Sequence, residues 1–230
     1  MNCNLSGKLR REVVRRVRCG AGLPWLLAVC LWGAVAPSQA VPAEQARPAL
    51  QIPRGRAERV EVLLDAATPV AIDSAGRTYG TAAFAVAGTN LAARIFVRDL
   101  RAKLTTLNWG GVVEISGASE DGHAIRQVIF QIESNVQKGT AKGFANGKEL
   151  PDPPPVAWVV AYEDGGYILS ATVPLDFFGW QPDAAALLLD VAVTTLVRPN
   201  TTPQVVRLYS TNSAGTNSSG YGRATIVAEK

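Results

Sequence analysis

Leu91–Arg98 reads LAARIFVR, and this stretch decides the fold class of the chain. Every second residue from position 91 to position 97 is apolar. Arg94 and Arg98 fall on the opposite face, because side chains of a strand alternate with period two. The pattern predicts a β-strand with one face in a hydrophobic core and the other toward solvent.

Nine further segments have the same strand character, and turn clusters such as Asp164-Gly165-Gly166 separate several of them. They are Arg59–Leu64, Ala82–Ala87, Val112–Ile115, Ile125–Glu133, Val156–Glu163, Tyr167–Val173, Leu187–Val197, Val205–Tyr209 and Ala224–Val227. Only Leu175–Trp180, between two prolines, favours a helical turn. Many short strands at this spacing indicate an all-β domain, a sandwich or a barrel. We predict a two-sheet antiparallel β-sandwich with jelly-roll or immunoglobulin-like layering.

The first forty residues have the composition of a secretory signal. A basic stretch from Lys8 to Arg18 precedes the apolar run Leu23–Ala36, and Ser38-Gln39-Ala40 supplies a small-x-small cleavage site. We therefore predict a signal peptide over residues 1–40, a flexible Pro-, Ala- and Arg-rich linker over 41–56, and a domain over 57–230. The protein is then secreted or periplasmic. Two alternatives stay open, an anchor formed by an uncleaved signal and a lipid attached to Cys30.

Composition narrows the partners once the signal is removed. All three cysteines (Cys3, Cys19 and Cys30) lie in the signal, so a hydrophobic core must stabilise the domain without disulfides. Six of the 23 basic residues and one of the 19 acidic residues also lie there. The net charge changes from +4 for the whole chain to −1 for the remainder. Nothing in this charge balance favours nucleic acid or an anionic membrane as the partner, and we expect no nucleic-acid partner. The apolar run is also too short for a comfortable membrane span.

Four segments resemble carbohydrate-binding module family 9. Tyr162–Leu175 resembles that family's GGY hairpin, and Leu91–Asp99 with Trp109–Ile115, counted together as one segment, resembles its paired strands. Leu187–Val193 and Tyr209–Ile226 resemble its last strands. The order of the four segments is the family's order. The resemblance implies a sandwich that binds carbohydrate without catalysis, in support of a partner enzyme that degrades polysaccharide.

The resemblance also implies the site residues. In the family, an aromatic pair holds a terminal sugar, and Trp109 with Tyr209 is the nearest counterpart here. Gln127 matches a glutamine of the family motif, and Gln131 lies on the same strand face. Glu114 belongs to the VEI segment. Each also has a structural interpretation, namely packing for the aromatic residues and a solvated sheet face for the polar ones.

Other residues are assigned from the sequence pattern alone. Trp158 and Tyr162 share a face with apolar neighbours, which predicts core positions. Trp180 follows the predicted helical turn and is expected to hold it against the domain. His123 lies in a polar turn, and with no mature cysteine and no second histidine, no zinc or copper site is expected. Calcium stays an open possibility, although the family's acidic residues before VEI are replaced here by Gly110 and Gly111.

Three other functions stay open. The changed motifs are compatible with a surface or scaffold domain that has lost sugar binding. Glu114 and Glu133 could form a glycosidase pair if the strands brought them together. A haem-binding redox domain would need axial ligands from Met1 or His123, since the chain has no other methionine or histidine.

Cleavage of the signal is directly testable. N-terminal sequencing of the exported protein should begin at Val41. Recovery of Met1 in the membrane fraction, or a lipid on Cys30, would contradict the prediction and select one of the two anchored alternatives.

Overall fold

A computed structural model describes residues 49–103, 110–133, 139–152, 154–196, 202–209 and 217–228. These residues belong to a compact unit that spans residues 44–230. Strands dominate it, so the predicted all-β class is confirmed. The signal peptide lies outside the described residues.

The elements follow one another in chain order as short strands with few helical turns. The strands are β1 Leu50–Gly55, β2 Val70–Ser74, β3 Arg77–Ala87, β4 Asn90–Arg98, β5 Gly110–Ala118, β6 Ile125–Glu133, β7 Gly139–Ala145, β8 Lys148–Glu149, β9 Ala157–Glu163, β10 Gly166–Pro174, β11 Ala186–Thr195, β12 Gln204–Arg207 and β13 Gly222–Ala228. The helix α1 covers Val60–Ala66, and 3-10 turns cover Ala57–Arg59, Leu100–Lys103 and Leu175–Phe178.

The strands form one curled, mixed sheet. Its hydrogen-bonded order is β8-β7-β6-β5-β11-β13-β1-β3-β4-β10-β9, with β12 also on β11 and β2 also on β3. The pairings are antiparallel except at β1, which runs parallel to both neighbours. Strand β6, the third from one end of the sheet, approaches β9 at the other end, since the Phe130 and Trp158 rings lie 5.6 Å apart. The Tyr162 hydroxyl also donates to the Glu133 carbonyl at 3.2 Å.

Strand β1 replaces the end of the predicted flexible linker, and its parallel pairings within one sheet differ from the predicted two antiparallel sheets. Residues 50–55 were assigned to a flexible linker because they lack a periodic pattern, yet they form a strand in register with β13, from Leu50 opposite Ala224 to Arg54 opposite Ala228. Arg54 and Gly55 then pair with β3. Leu50 and Ile52 are buried because their side chains belong to the main hydrophobic core. β1 thereby joins strands that would otherwise form two wholly antiparallel sheets.

Segment 59–64 is also corrected. It was predicted as a strand, but it contains the start of α1, in which Val60, Leu63 and Leu64 have the i, i+3, i+4 spacing of a helix. Leu63 and Leu64 pack on small residues of β3 and β4, among them Ala85 and Ala92. The Arg94 guanidinium adds ion pairs at 2.6 Å with Glu61 and with Asp65 of the helix.

The main core lies inside the curl. The side chains at positions 91, 93, 95 and 97 are fully buried, as the alternation of β4 predicted. The largest buried side chains include Tyr167, Phe84, Phe130 and Phe178. Trp158 packs against this core, but Tyr162, which was also predicted there, is 37% exposed, since β9 ends the sheet.

The predicted role of Trp180 is confirmed. Its ring stacks on Phe178 of the last 3-10 turn at 4.5 Å, and its indole Nε1 donates to the Ala118 carbonyl at 2.7 Å. Gly117 makes this contact possible, because a Cβ there would lie 2.5 Å from Trp180 and 2.6 Å from Phe178. The turn is thus held against the end of β5.

We expect Gly117→Ala to lower the free energy of unfolding by about 1–3 kcal/mol through overpacking. Gly110→Ala, on the same strand, is the matched control. Its added Cβ has the Ile132 carbonyl oxygen as nearest neighbour at 3.9 Å, so stability should change by less than about 0.5 kcal/mol. Urea unfolding measures both. Equal stabilities would contradict the close packing of Trp180 on β5.

Candidate functional site

The outer face of β5, β6 and β11, turned away from core residues such as Val113 and Val191, carries residues in three rows. The strand register sets the rows, because directly opposed residues of antiparallel strands share a face. The first row is Ile129, Glu114, Ala192 and Arg207; the second is Gln127, Ser116 and Asp190; the third is Ile125, Ala118, Leu188 and Arg223. The polar residues of the first two rows form a largely buried network, and residues of the third row line part of a cleft.

Glu114 is the centre of the polar network. The Arg207 guanidinium binds both of its carboxylate oxygens, at 3.1 and 3.2 Å. Ser116 Oγ and Gln127 Nε2 each donate to Glu114 Oε1 at 2.7 Å. The side chains of Glu114 and Arg207 are only 12% exposed. The carboxylate is therefore fully engaged inside the protein, which is how a buried charge is tolerated.

Asp190 extends the network to the last strands. Its carboxylate lies 3.6 Å from the Arg207 guanidinium and accepts the backbone N–H of Tyr209 at 2.9 Å. Burial lowers the pKa of Arg207, but the hydrogen bond and charge of Glu114, with the charge of Asp190, outweigh it and raise that pKa. The guanidinium therefore stays charged. Burial also raises the pKa of Tyr221, which shares a hydrogen bond with Ser116, to about 12.

The structure brings three of the five predicted site residues to this network. Glu114 and Gln127 are hydrogen-bonded to each other and buried. The backbone N–H of Tyr209 donates to Asp190, which connects this residue to the network. The Tyr209 ring is buried against Gly222, where an added Cβ would lie 2.4 Å from the ring, so the ring presents no open face to a ligand. Gln131 is exposed and accepts a hydrogen bond from Thr140 at 3.1 Å. Trp109 lies outside the described residues.

A cleft of about 340 Å³ opens beside the third row. Its floor is apolar: Ala118 and Trp180 are buried, and Leu188, Ala184 and Ala186 are half-buried. Trp180 is fixed by its indole hydrogen bond to Ala118. The segment after Trp180 is held in a turn, because the Ala184 N–H donates to the Gln181 carbonyl at 3.1 Å. The floor is thus formed by residues that packing already fixes.

The rim of the cleft is polar and exposed. It consists of Glu120, Gln181, Asp183 and Arg223. The side chains of these four residues form no hydrogen bond or ion pair with any described residue. Glu114 already has protein partners for its carboxylate, whereas the hydrogen-bonding groups of these four side chains remain available beside an apolar surface. Such a surface suits a ligand that has both C–H faces and hydroxyl groups.

Sequence reasoning missed the cleft. It interpreted Trp180 as a packing residue only and gave no role to the four rim residues. The polar residues just after Trp180 and the Tyr221-Gly222-Arg223 segment were available signals. They could not be combined, since Ala118, Leu188 and Arg223 become neighbours only through the register of β5, β11 and β13.

Two further searches cover only the part of the chain that the structure describes. There, no three or more His, Cys, Asp or Glu side chains are grouped so that they could hold a metal ion. Within the same residues, no helix is long and apolar enough to cross a membrane.

We expect Glu114→Gln to lower the free energy of unfolding by about 2–4 kcal/mol, because it leaves the Arg207 charge half-compensated in a buried site. Glu133→Gln is the control, since Glu133 lies exposed on the same face of β6. It should change stability by less than about 0.5 kcal/mol. Chemical unfolding of both variants measures the difference. A Glu114 variant as stable as the control would show that the network does not stabilise the fold.

Comparison with known proteins adds no relative: no family model matches the chain, and no curated protein shows significant similarity. The resemblance to carbohydrate-binding module family 9 therefore rests on the four segments quoted above. The structure contributes the all-β architecture and the geometry of the outer face.

Proposed function

We propose that this chain is an exported, non-catalytic carbohydrate-binding module, and that the cleft beside Trp180 holds the saccharide. The observation that carries the proposal is the pairing of an apolar floor with four rim side chains that the fold does not use. The signal over residues 1–40 and the family resemblance support export and carbohydrate as the ligand class. Both are independent of the cleft geometry.

The chemistry of the cleft matches a sugar ring. A saccharide presents C–H groups on one side and hydroxyls around its edge. The C–H side suits the half-buried Leu188, Ala184 and Ala186 of the floor, whereas the buried Trp180 contributes little exposed surface to it. Ionised carboxylates only accept hydrogen bonds, so Glu120 and Asp183 accept from sugar hydroxyls. Guanidinium groups only donate, so Arg223 donates to a sugar oxygen.

The same geometry argues against the catalytic alternative at Glu114 and Glu133. Glu133 is opposite Gly110, four residues along β5 from Glu114. At the rise of a strand this is about 13 Å, whereas glycosidase carboxylates lie about 5–9.5 Å apart. Glu114 is also saturated by Arg207, Ser116 and Gln127. Binding therefore fits this surface better than hydrolysis by that pair.

One observation favours a second candidate, a scaffold domain without sugar binding. Glu114 and Gln127 match the family resemblance, yet they are buried and bind each other. A domain that had lost its family site while keeping its fold would show this pattern. The two candidates differ in one measurable property, which is whether any saccharide binds.

A glycan-array screen of residues 41–230, with and without calcium, should identify at least one binding oligosaccharide, and the sugar should be recovered intact. Glu120→Gln, Asp183→Asn and Arg223→Gln should each weaken its affinity by about tenfold, since each removes a charge-assisted hydrogen bond. Their melting temperatures should stay unchanged. Asp152→Asn, an exposed position outside the cleft, is the control. Binding to no saccharide would select the scaffold, and a shortened product would select catalysis.

Trp109 stays a predicted ligand contact and defines a competing place for the sugar, at the start of β5. Removal of a stacking tryptophan should weaken affinity by about tenfold to a hundredfold and barely change the melting temperature. Trp158→Ala is the packing control and should cost about 3–5 kcal/mol of stability. If Trp109→Ala abolishes binding and the rim variants do not, the sugar lies at β5 and the cleft assignment is wrong.

A further inference from the structure

We propose that the saccharide bears a carboxylate, that is, it is a uronic acid, and that Arg223 is the residue that binds this group. The inference rests on the proposed function and adds the substrate class. It follows from the position of Arg223, from the hydrogen-bonding groups of the rim, and from a second guanidinium at the wall of the cleft.

Arg223 is positioned by the sheet and not by an ion pair. It lies at the start of β13, directly opposite Leu188 of the floor, which is itself opposite Ala118. The side chain is exposed, and it forms no ion pair with a described residue although Glu120 and Asp183 line the same cleft. The guanidinium is therefore open to a ligand that lies on the floor.

Two guanidinium groups that are largely buried show what a carboxylate partner looks like in this fold. Arg207 binds both oxygens of Glu114, and Arg101 binds both oxygens of Asp99. Planar guanidinium and carboxylate groups match in two parallel hydrogen bonds, which are stronger than bonds to a neutral oxygen. At Arg223 no carboxylate among the described residues takes that position. The best acceptor for it is a carboxylate that the ligand brings.

The other rim residues can then bind the hydroxyl groups of the sugar. Glu120 and Asp183 only accept hydrogen bonds, so they suit the hydroxyls of the sugar, and the Gln181 amide can either donate or accept. With this division every rim group meets a partner of the right kind. A neutral sugar would offer Arg223 only hydroxyl or ring oxygens, which are weaker acceptors for a cation.

A second positive charge stands at the wall of the cleft. The Arg54 guanidinium donates from Nη2 to the carbonyl of Ala184, a lining residue, at 2.8 Å. Its buried Nε has no hydrogen-bond partner among the described residues, and no ion pair compensates Arg54 there. Its charge offsets that of the rim carboxylates, so the approach of an anionic sugar is not opposed by a purely acidic surface.

The test compares matched sugars on the signal-free chain, residues 41–230. The probes are oligosaccharides of glucuronic or galacturonic acid and the glucose or galactose oligomers of the same linkage and length. Calorimetric titration should give an affinity about tenfold higher for the uronic form at about 0.01 M salt, where charges act over about 30 Å. The preference should shrink at about 1 M salt, where that length is about 3 Å.

Variants identify the residue. Arg223→Gln should reduce the ratio of uronic to neutral affinity to about one, and Arg223→Lys, which keeps the charge but not the planar fork, should give an intermediate ratio. Arg98→Gln removes the same charge from an exposed position outside the cleft and should keep the wild-type ratio.

Each result decides one of the two proposals. If the wild-type domain binds neutral oligosaccharides as tightly as the uronic ones, or prefers amino sugars, the uronic-acid inference is wrong and the carbohydrate-binding function stands. If the uronic preference survives in Arg223→Gln, Arg223 is not its cause. If no oligosaccharide binds at all, the proposed function fails, and the inference fails with it.

Discussion

The parallel pairing of β1 with both β13 and β3 is the constraint on which the rest of this structure depends. Leu50 to Arg54 of this six-residue strand align with β13, and its last two residues align with β3. This joins the half of the sheet that carries β5, β6 and β11 to the half that carries β4, β9 and β10. Both halves then share a core in which Ile52 is fully buried. Because β13 is held by β1 on one side and β11 on the other, Arg223 has a fixed place beside Leu188.

The outer face of β5 and β11 shows how one register can produce two surfaces of different kind. Around Glu114 and Asp190, the strand pairing brings Arg207 and Gln127 within hydrogen-bond distance of Glu114. The charges of Glu114, Asp190 and Arg207 then compensate one another inside the protein. Two residues further along β11, at Leu188, the opposed residues are Ala118 and the exposed Arg223. The small alanine side chain leaves room there for a cleft. The network fixes the ends of β12 and β13, and so it supports the cleft without lining it.

The sequence predicted the fold best where a local pattern coincides with the final environment. The alternation at residues 91–98 and the boundaries of β6 agree with the structure, because one face of each strand meets the core. Leu50–Gly55 and β7, with its two glycines, were missed because their neighbours and not their own residues make them strands. Segment 59–64 was wrongly predicted as a strand because so short an apolar segment fits either a strand or a helix. The i, i+3, i+4 spacing of Val60, Leu63 and Leu64 was the helical signal. Glu114 and Gln127 were predicted as ligand contacts; they lie together as hydrogen-bonded partners, and their burial depends on residues about 80 to 95 positions away, such as Tyr209 and Arg207.

A polar side chain can serve the fold or a ligand, and the hydrogen bonds that it already makes separate the two roles. Release of Glu114 to a sugar would leave Arg207 with only a 3.6 Å contact to Asp190 in a largely buried site, which costs more than a sugar hydroxyl returns. Arg223 and Asp183 face the opposite situation. They are exposed and uncommitted, so a ligand exchanges their water for new hydrogen bonds without breaking any internal contact. The apolar floor then excludes water around those bonds and strengthens them. Recognition in this domain is therefore expected at the charges that folding did not use, and the geometry of β5, β11 and β13 decides which charges those are.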